Sequence, residues 1–143
     1  NEDFLVINGD ILTSLSFSNL MKFHLKNESI MTLAVGKKKL DLSIGVVEIN
    51  SNSQVRSFNE KPALEFKDNM GIYAYNRRIL DFIKKGEKTD VNILVEMLIK
   101  TDRKVYGYYS DNPYFWIDIG QHADFEEANE QFEKHKKKFC PIK

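Results

Sequence analysis

The chain opens on apolar residues that do not alternate. Phe4, Leu5, Val6 and Ile7 run together and stop at Asn8-Gly9-Asp10. A short continuous apolar run predicts a strand covered on both faces. Ser16 then stands where a helix N-cap belongs, ahead of Phe17, Leu20, Met21 and Leu25 at helical spacing. Residues 30–35 predict a second apolar strand. Leu40, Leu42 and Ile44 alternate with polar residues, as in a half-exposed strand. That pattern runs on through Gly45-Val46-Val47-Glu48-Ile49 to the turn cluster Asn50-Ser51-Asn52-Ser53. Residues 55–58 read as a returning strand that stops at Pro62, and residues 70–75 as another.

A short helix through Ile79, Leu80 and Ile83 is expected to end near Gly86. Asp90 is placed to cap the next helix, with Val91, Leu94, Val95, Leu98 and Ile99 at helical spacing. Residues 105–109 and 115–117 are the last strands, the second ending at Asp118. The final helix begins near Ala123. Asp124, Glu126 and Glu127 fall in its first turn and Lys134, Lys136, Lys137 and Lys138 in its last, complementing the helix dipole. The lysine run reads as a solvated helix end in preference to a polyanion patch. Strands alternating with helices predict an α/β sheet covered on both faces. Ligands of such sheets bind at the carboxyl ends of the strands. Asp10 and Asp118 both occupy such ends.

A length of 143 residues suits one domain, and 42% hydrophobic with 29% charged residues is an ordinary globular balance. Lys plus Arg and Asp plus Glu both number 21, so no net field draws the chain to nucleic acid or an anionic membrane. The single Cys140 forms no internal disulfide, which fits a reducing, cytoplasmic setting. One Cys and three scattered His provide no zinc spacing. No apolar run is long enough to span a bilayer.

A lone Asp at a strand end is common in turns. The pair says more, because each follows an apolar strand and each has a glycine beside it, Gly9 before Asp10 and Gly120 after Asp118. Two hard oxygen ligands and a few waters suit Mg²⁺ bound to a substrate's phosphates. Other positions carry two readings. Glu60-Lys61-Pro62 is a charged turn closed by proline or part of a site. Gly45 marks a bulge or a close approach. Trp116 and Phe115 read as core before stacking platform, and the tyrosines at 106, 108 and 109 as strand alternation before groove lining. His24 reads as a packed histidine and His122 as a helix cap.

Five stretches, FLVINGDIL, IGVVEI, VRSFNEKP, NMGIYAYN and FWIDIGQHADFEEAN, follow one another in this order. Together they resemble the second half of a sugar-phosphate nucleotidyltransferase (NDP-sugar pyrophosphorylase) domain. The mannose-1-phosphate guanylyltransferase branch is the most similar in character. The resemblance implies a Rossmann-like, mixed and mostly parallel sheet with helices on both faces, lacking the fold's N-terminal part. Residues 1–143 are then one partial domain, the C-terminal, sugar-binding portion.

The implied reaction moves a nucleotidyl group from a nucleoside triphosphate to a sugar 1-phosphate, releasing pyrophosphate and forming an NDP-sugar. Asp10 and Asp118 match the family's Mg²⁺ ligands. Glu60 matches a residue that accepts hydrogen bonds from sugar hydroxyls, and Lys61 a catalytic lysine beside the sugar phosphate. Gly45 matches backbone against the sugar ring, and Gly71 the strand lining the same pocket. The family's Gly-rich triphosphate loop has no counterpart among the seven glycines here. The expectation is therefore a fragment, inactive alone, that pairs with another copy or with the absent N-terminal half. The alternative is a non-catalytic module of the same fold that binds or senses a sugar phosphate.

Overall fold

The structure is a computed structural model that describes residues 2–120 and 122–139, with the backbone alone for residues 122–124, 137 and 138. The chain divides into two compact units, residues 1–35 with 69–143, and residues 36–68.

The first unit is built on a four-stranded mixed sheet in the order β1-β6-β3-β7. β1 (Phe4–Ile7) runs antiparallel to β6 (Ala63–Tyr75), with Phe4 opposite Tyr75 and Ile7 opposite Ile72. β3 (Met31–Asp41) runs parallel to β7 (Val105–Tyr108), with Met31 opposite Val105. The period of two along these strands sorts their side chains into two cores. Met70, Ile72 and Ala74 of β6 and Ala34 of β3 pack with Leu15 and with Leu20 of α1 (Phe17–Lys26). Tyr73, Tyr75 and Met31 face the other way, onto Leu94 and Leu98 of α2 (Val91–Lys100) and Ile79 of a 3₁₀ turn, Arg77–Phe82. Helices therefore cover both faces, as the alternation of elements predicts.

β1 departs from the expectation of a strand covered on both faces. It is half-buried, Ile7 is 40% exposed, and β1 stands at the end of the strand order. Its apolar residues do reach both cores, Phe4 and Val6 on one side and Leu5 on the other. Its exposure comes from its position at the edge of the sheet among the described strands. The helical stripes also differ by one residue. Ser16 caps α1 as expected, accepting from the Asn19 N–H at 3.3 Å. But Leu25 is 56% exposed, and His24 takes the buried position one turn beyond Leu20. Ile99 of α2 is likewise exposed. Asp90 occupies the N-cap position of α2 without a side-chain cap bond, its carboxylate lying 3.2 Å from Lys88 Nζ instead.

His24 is fully buried. Its Nδ1 shares a 2.8 Å hydrogen bond with Thr32 Oγ1 of β3, and its Nε2 stands 3.5 Å from Asp3 Oδ2. Asp3 Oδ1 in turn accepts from Asn76 Nδ2 at 2.6 Å. Burial lowers the imidazole pKa below its ordinary 6.5, partly opposed by the Asp3 carboxylate. A histidine held neutral by folding binds its proton more readily when unfolded. Its stabilising effect is complete above pH 6.5 and declines as pH falls through 6.5 toward the folded-state value. The urea midpoint is therefore expected to drop between pH 7.5 and 5.5, and His24→Asn to flatten that dependence. An unchanged slope in the variant would remove His24 as its cause.

The second unit holds an antiparallel pair, β4 (Val46–Ile49) and β5 (Val55–Asn59), with Val47 opposite Phe58. The expected turn cluster joins them, with Asn50 Oδ1 accepting from the N–H groups of Asn52 and Gln54, both at 3.0 Å. Two strands are longer than the apolar pattern indicates. β3 continues through Gly36 and three lysines to Asp41, and β6 begins at Ala63. Backbone pairing carries a strand through exposed positions, polar and apolar alike, that no core selects for hydrophobicity.

α3 (His122–Phe139) bends at His135, whose φ is −123°. Lys134 and Lys136 are exposed and pair with Glu130 and Glu133 of the same helix, which agrees with a solvated helix end. The side chains of His122, Asp124, Lys137 and Lys138, and all of Cys140, lie outside the described residues.

Candidate active site

Asp10 lies in a tight turn between two pairings. The Asn8 N–H donates to the Gly71 carbonyl at 2.9 Å, continuing the β1–β6 ladder by one residue. The Ile11 N–H then reaches back to the Asn8 carbonyl at 3.4 Å, closing Asn8-Gly9-Asp10-Ile11 into a turn. β2 (Ile11–Thr13) leaves that turn and pairs antiparallel with β8 (Trp116–Asp118), placing Ile11 opposite Asp118. The Ile119 N–H donates to the Asp10 carbonyl at 2.7 Å. Two acids separated by most of the chain thus meet at one end of a two-stranded ladder. The other end is pinned by Ser14 and Thr13. Ser14 Oγ accepts from the Phe115 N–H at 2.8 Å, and Thr13 Oγ1 donates to the Phe115 carbonyl at 2.7 Å.

Both aspartates are exposed. Asp10 belongs to the turn and not to the ladder, so strand alternation does not dictate where its carboxylate points. The space above Gly9 is open, and a Cβ on Gly120 would only touch Asp118 Oδ1 at 3.4 Å. Among the described residues no three His, Cys, Asp or Glu side chains gather in one place. The donor set here is two hard carboxylates with room around them. That fits Mg²⁺, which favours one or two carboxylates and completes its shell with water and substrate phosphate oxygens.

Three other expected site residues lie together in the second unit. The Lys61 N–H donates to the Ile44 carbonyl at 3.2 Å, which brings the Glu60-Lys61-Pro62 turn beside Gly45. A Cβ on Gly45 would fall 2.8 Å from Phe58 Cζ and 3.0 Å from Glu60 Oε2. Gly45 is therefore a close approach, with the Glu60 carboxylate resting over its Cα. Lys61 has φ +48°, a left-handed conformation uncommon outside glycine and enriched at functional sites. Gly71 belongs to the first unit. It is buried at φ +71°, and the place of a Cβ is taken by the Asn8 side chain, with Nδ2 at 2.8 Å.

Three residues that the sequence did not mark as functional support the Met70-Gly71 backbone of the first unit. Asn8 packs on Gly71. Asn69 Oδ1 accepts from the Gly71 N–H at 3.1 Å, while its Nδ2 donates to the Tyr73 hydroxyl at 2.8 Å. Trp116, read as core, donates from Nε1 to the Met70 carbonyl at 2.9 Å. The one available signal is spacing, since Asn8 and Trp116 each stand two residues before an acid.

A family profile described as nucleotidyl transferase matches residues 1–135. The chain belongs to that family. Its curated relatives act on sugar 1-phosphates by name. It is 34% identical over 129 residues to the mannose-1-phosphate guanylyltransferase catalytic subunit beta of Drosophila melanogaster, covering 87% of this chain and 34% of that protein. It is 30% identical over 135 residues to the UTP–glucose-1-phosphate uridylyltransferase of Synechocystis, covering 90% of this chain and 34% of that protein. The chain thus spans about a third of the length of these relatives. Among solved structures, HddC from Yersinia pseudotuberculosis superposes with a TM-score of 0.60 at 23% identity, over 91% of this chain and 55% of that one. This likeness shows that the two chains share a fold. The resemblance carried by the five sequence stretches is borne out. No described helix is long and apolar enough to cross a membrane.

Proposed function

We propose that the protein containing this chain transfers a nucleotidyl group from a nucleoside triphosphate to a sugar 1-phosphate, releasing pyrophosphate. The observation that supports this most is the β2–β8 pairing, which brings Asp10 and Asp118 to one end of one ladder. The relatives differ in nucleotide and in sugar but share a sugar 1-phosphate in their names. The acceptor is accordingly assigned as a sugar 1-phosphate, with the nucleotide left to the assay.

Lys61 holds the phosphate of the acceptor. Glu60 accepts hydrogen bonds from its hydroxyls, and the absence of a side chain at Gly45 leaves room for that carboxylate beside the ring. Gly71 contributes at the Asp10 end, where it seats Asn8. Asp10 and Asp118 would hold Mg²⁺, which when bound would offset charge on the triphosphate and the pyrophosphate. The acceptor phosphate is already ionised near neutral pH, so its oxygen attacks the α-phosphorus in line without a general base. The chain's residues contribute positioning and fixed charge. Pyrophosphate release from the complete protein, with a panel of sugar 1-phosphates and all four nucleoside triphosphates, tests the assignment. Release with none of them would refute it.

A partner belongs to the same proposal. β1 pairs on one side only, with β6, among the described strands, and carries neither lysine nor proline to block its open rim. Such an edge recruits another strand. The 143-residue chain is expected to self-associate, or to bind a further nucleotidyltransferase segment, through β1. Light scattering that returns a stable monomer would overturn this.

A further inference from the structure

The two aspartates are tied to adjacent residues of β6. The Gly71 carbonyl accepts from the N–H of Asn8, two residues before Asp10. The Met70 carbonyl accepts from Nε1 of Trp116, two residues before Asp118. Met70 is buried, 1% exposed, and Gly71 is buried beside it, so this short piece of backbone is a rigid reference. Its conformation is specified from three sides. The φ of +71° at Gly71 is one that a residue with a Cβ adopts only with strain. Asn69 Oδ1 holds the Gly71 N–H. The Asn8 side chain fills the space over the Gly71 Cα, with Nδ2, Cγ and Cβ at 2.8, 3.1 and 3.4 Å from a built Cβ.

We infer that Met70-Gly71 is a shared anchor that sets the spacing of the Asp10 and Asp118 carboxylates, with Asn8 and Trp116 as positioning residues. The value of this part of the inference for metal binding rests on the metal role proposed above for the two acids. The physical need is clear. Two carboxylates on separate strand ends share a cation only if both ends are registered to one frame. The β2–β8 ladder alone is three residues on each side, too short to resist sliding or fraying. Residues that hold ligands in place alter metal affinity by about 10–100-fold when changed.

The substitutions that read this out are Trp116→Phe, which keeps an aromatic ring and loses the N–H, and Gly71→Ala, which drives a methyl group into Asn8. Asn8→Ser paired with Gly71→Ala shortens the obstructing side chain. Two measurements are made on each. The first needs no metal. Amide hydrogen exchange of Ile119, whose N–H is bonded to the Asp10 carbonyl, is expected to accelerate in both single variants. Exchange within α2 is expected to stay as in the parent chain. The second is Mn²⁺ binding followed by water-proton relaxation. It is expected to weaken about tenfold in Trp116→Phe and Gly71→Ala, and to recover partly in the Asn8→Ser double variant.

Ile119 exchange that stays at the parent rate in both single variants overturns the anchor, whatever the metal does. Acceleration spread equally over α2 also overturns it, since that marks general loosening. If Asp10→Asn and Asp118→Asn bind Mn²⁺ as the parent does, the metal role of the acids falls, and the exchange result alone decides the anchor.

Discussion

Asp118→Asn in the complete protein is expected to lower turnover by about a hundredfold or more while leaving the fold intact. Amide for carboxylate keeps the size and planarity of the side chain and removes its charge. The carboxylate acts through the cation it would hold, and loss of one electrostatic contribution to the charge developing at phosphorus costs about 10²–10³ in rate. The fold has little to lose at this position. The Asp118 side chain is exposed, and the hydrogen bonds around it are made by backbone, among them the Ile119 N–H to the Asp10 carbonyl at 2.7 Å. Substitutions at such surface positions stay within about 0.5 kcal/mol of neutral. Asp10→Asn is expected to behave alike. Turnover and the urea midpoint measured on the same samples separate the two effects. Full turnover in Asp118→Asn would remove the acid from the catalytic machinery.

Glu60→Ala is expected to raise the sugar 1-phosphate KM by about ten- to a hundredfold and to leave the triphosphate KM nearly unchanged. A hydrogen bond to a charged acceptor is worth roughly 1.5–3 kcal/mol, and each 1.4 kcal/mol is about a factor of ten. Gly45→Ala serves as its companion, by a different physical route. The new methyl would meet Phe58 Cζ at 2.8 Å and Glu60 Oε2 at 3.0 Å, both ends of exposed side chains. These can swing away at small cost to stability, but the carboxylate is then displaced from its place over residue 45. Both substitutions are therefore expected to move the same KM in the same direction. An equal rise in both substrates' KM values would point to a loosened hairpin and away from recognition of the sugar.

The buried segments were the easiest to foresee. Leu20, Leu94 and Leu98 are buried where helical spacing places them, and Ile72 through Tyr75 sit in a strand as their apolar run requires. A core selects hydrophobic residues at the period of the element that faces it, so the letters carry the element. The extensions of β3 and β6 beyond the core carry a weaker signal, with Leu40, Leu64 and Phe66 apolar yet exposed. Gly36 to Asp41 and Ala63 to Asp68 are held by backbone pairing, which is indifferent to polarity. Leu25 and His24 show the limit of the spacing argument on a single turn. One residue of rotation, about 100° in a helix, exchanged an apolar side chain for a polar one at the buried position. Thr32 and Asp3 make that exchange tolerable by meeting the ring.

The chemical types at the candidate site are local features of the sequence as well. Acids after apolar strands, a Glu-Lys-Pro turn and glycines at close approaches are properties of the residues, and five stretches in order carried the family. What required three dimensions was the pairing that brings the two acids to one end of a ladder. Nothing in the chain of letters says that Ile11 lies opposite Asp118, because strand pairing between distant segments is settled by the register of hydrogen bonds and by what each face must bury. The same holds for Asn8 and Trp116. One is a polar residue before a turn and the other an aromatic in a short strand, and only their bonds to adjacent carbonyls of β6 reveal a common support. Residue chemistry is local and survives in sequence, whereas relative position depends on contacts between segments far apart along the chain, which exist only once the chain has folded.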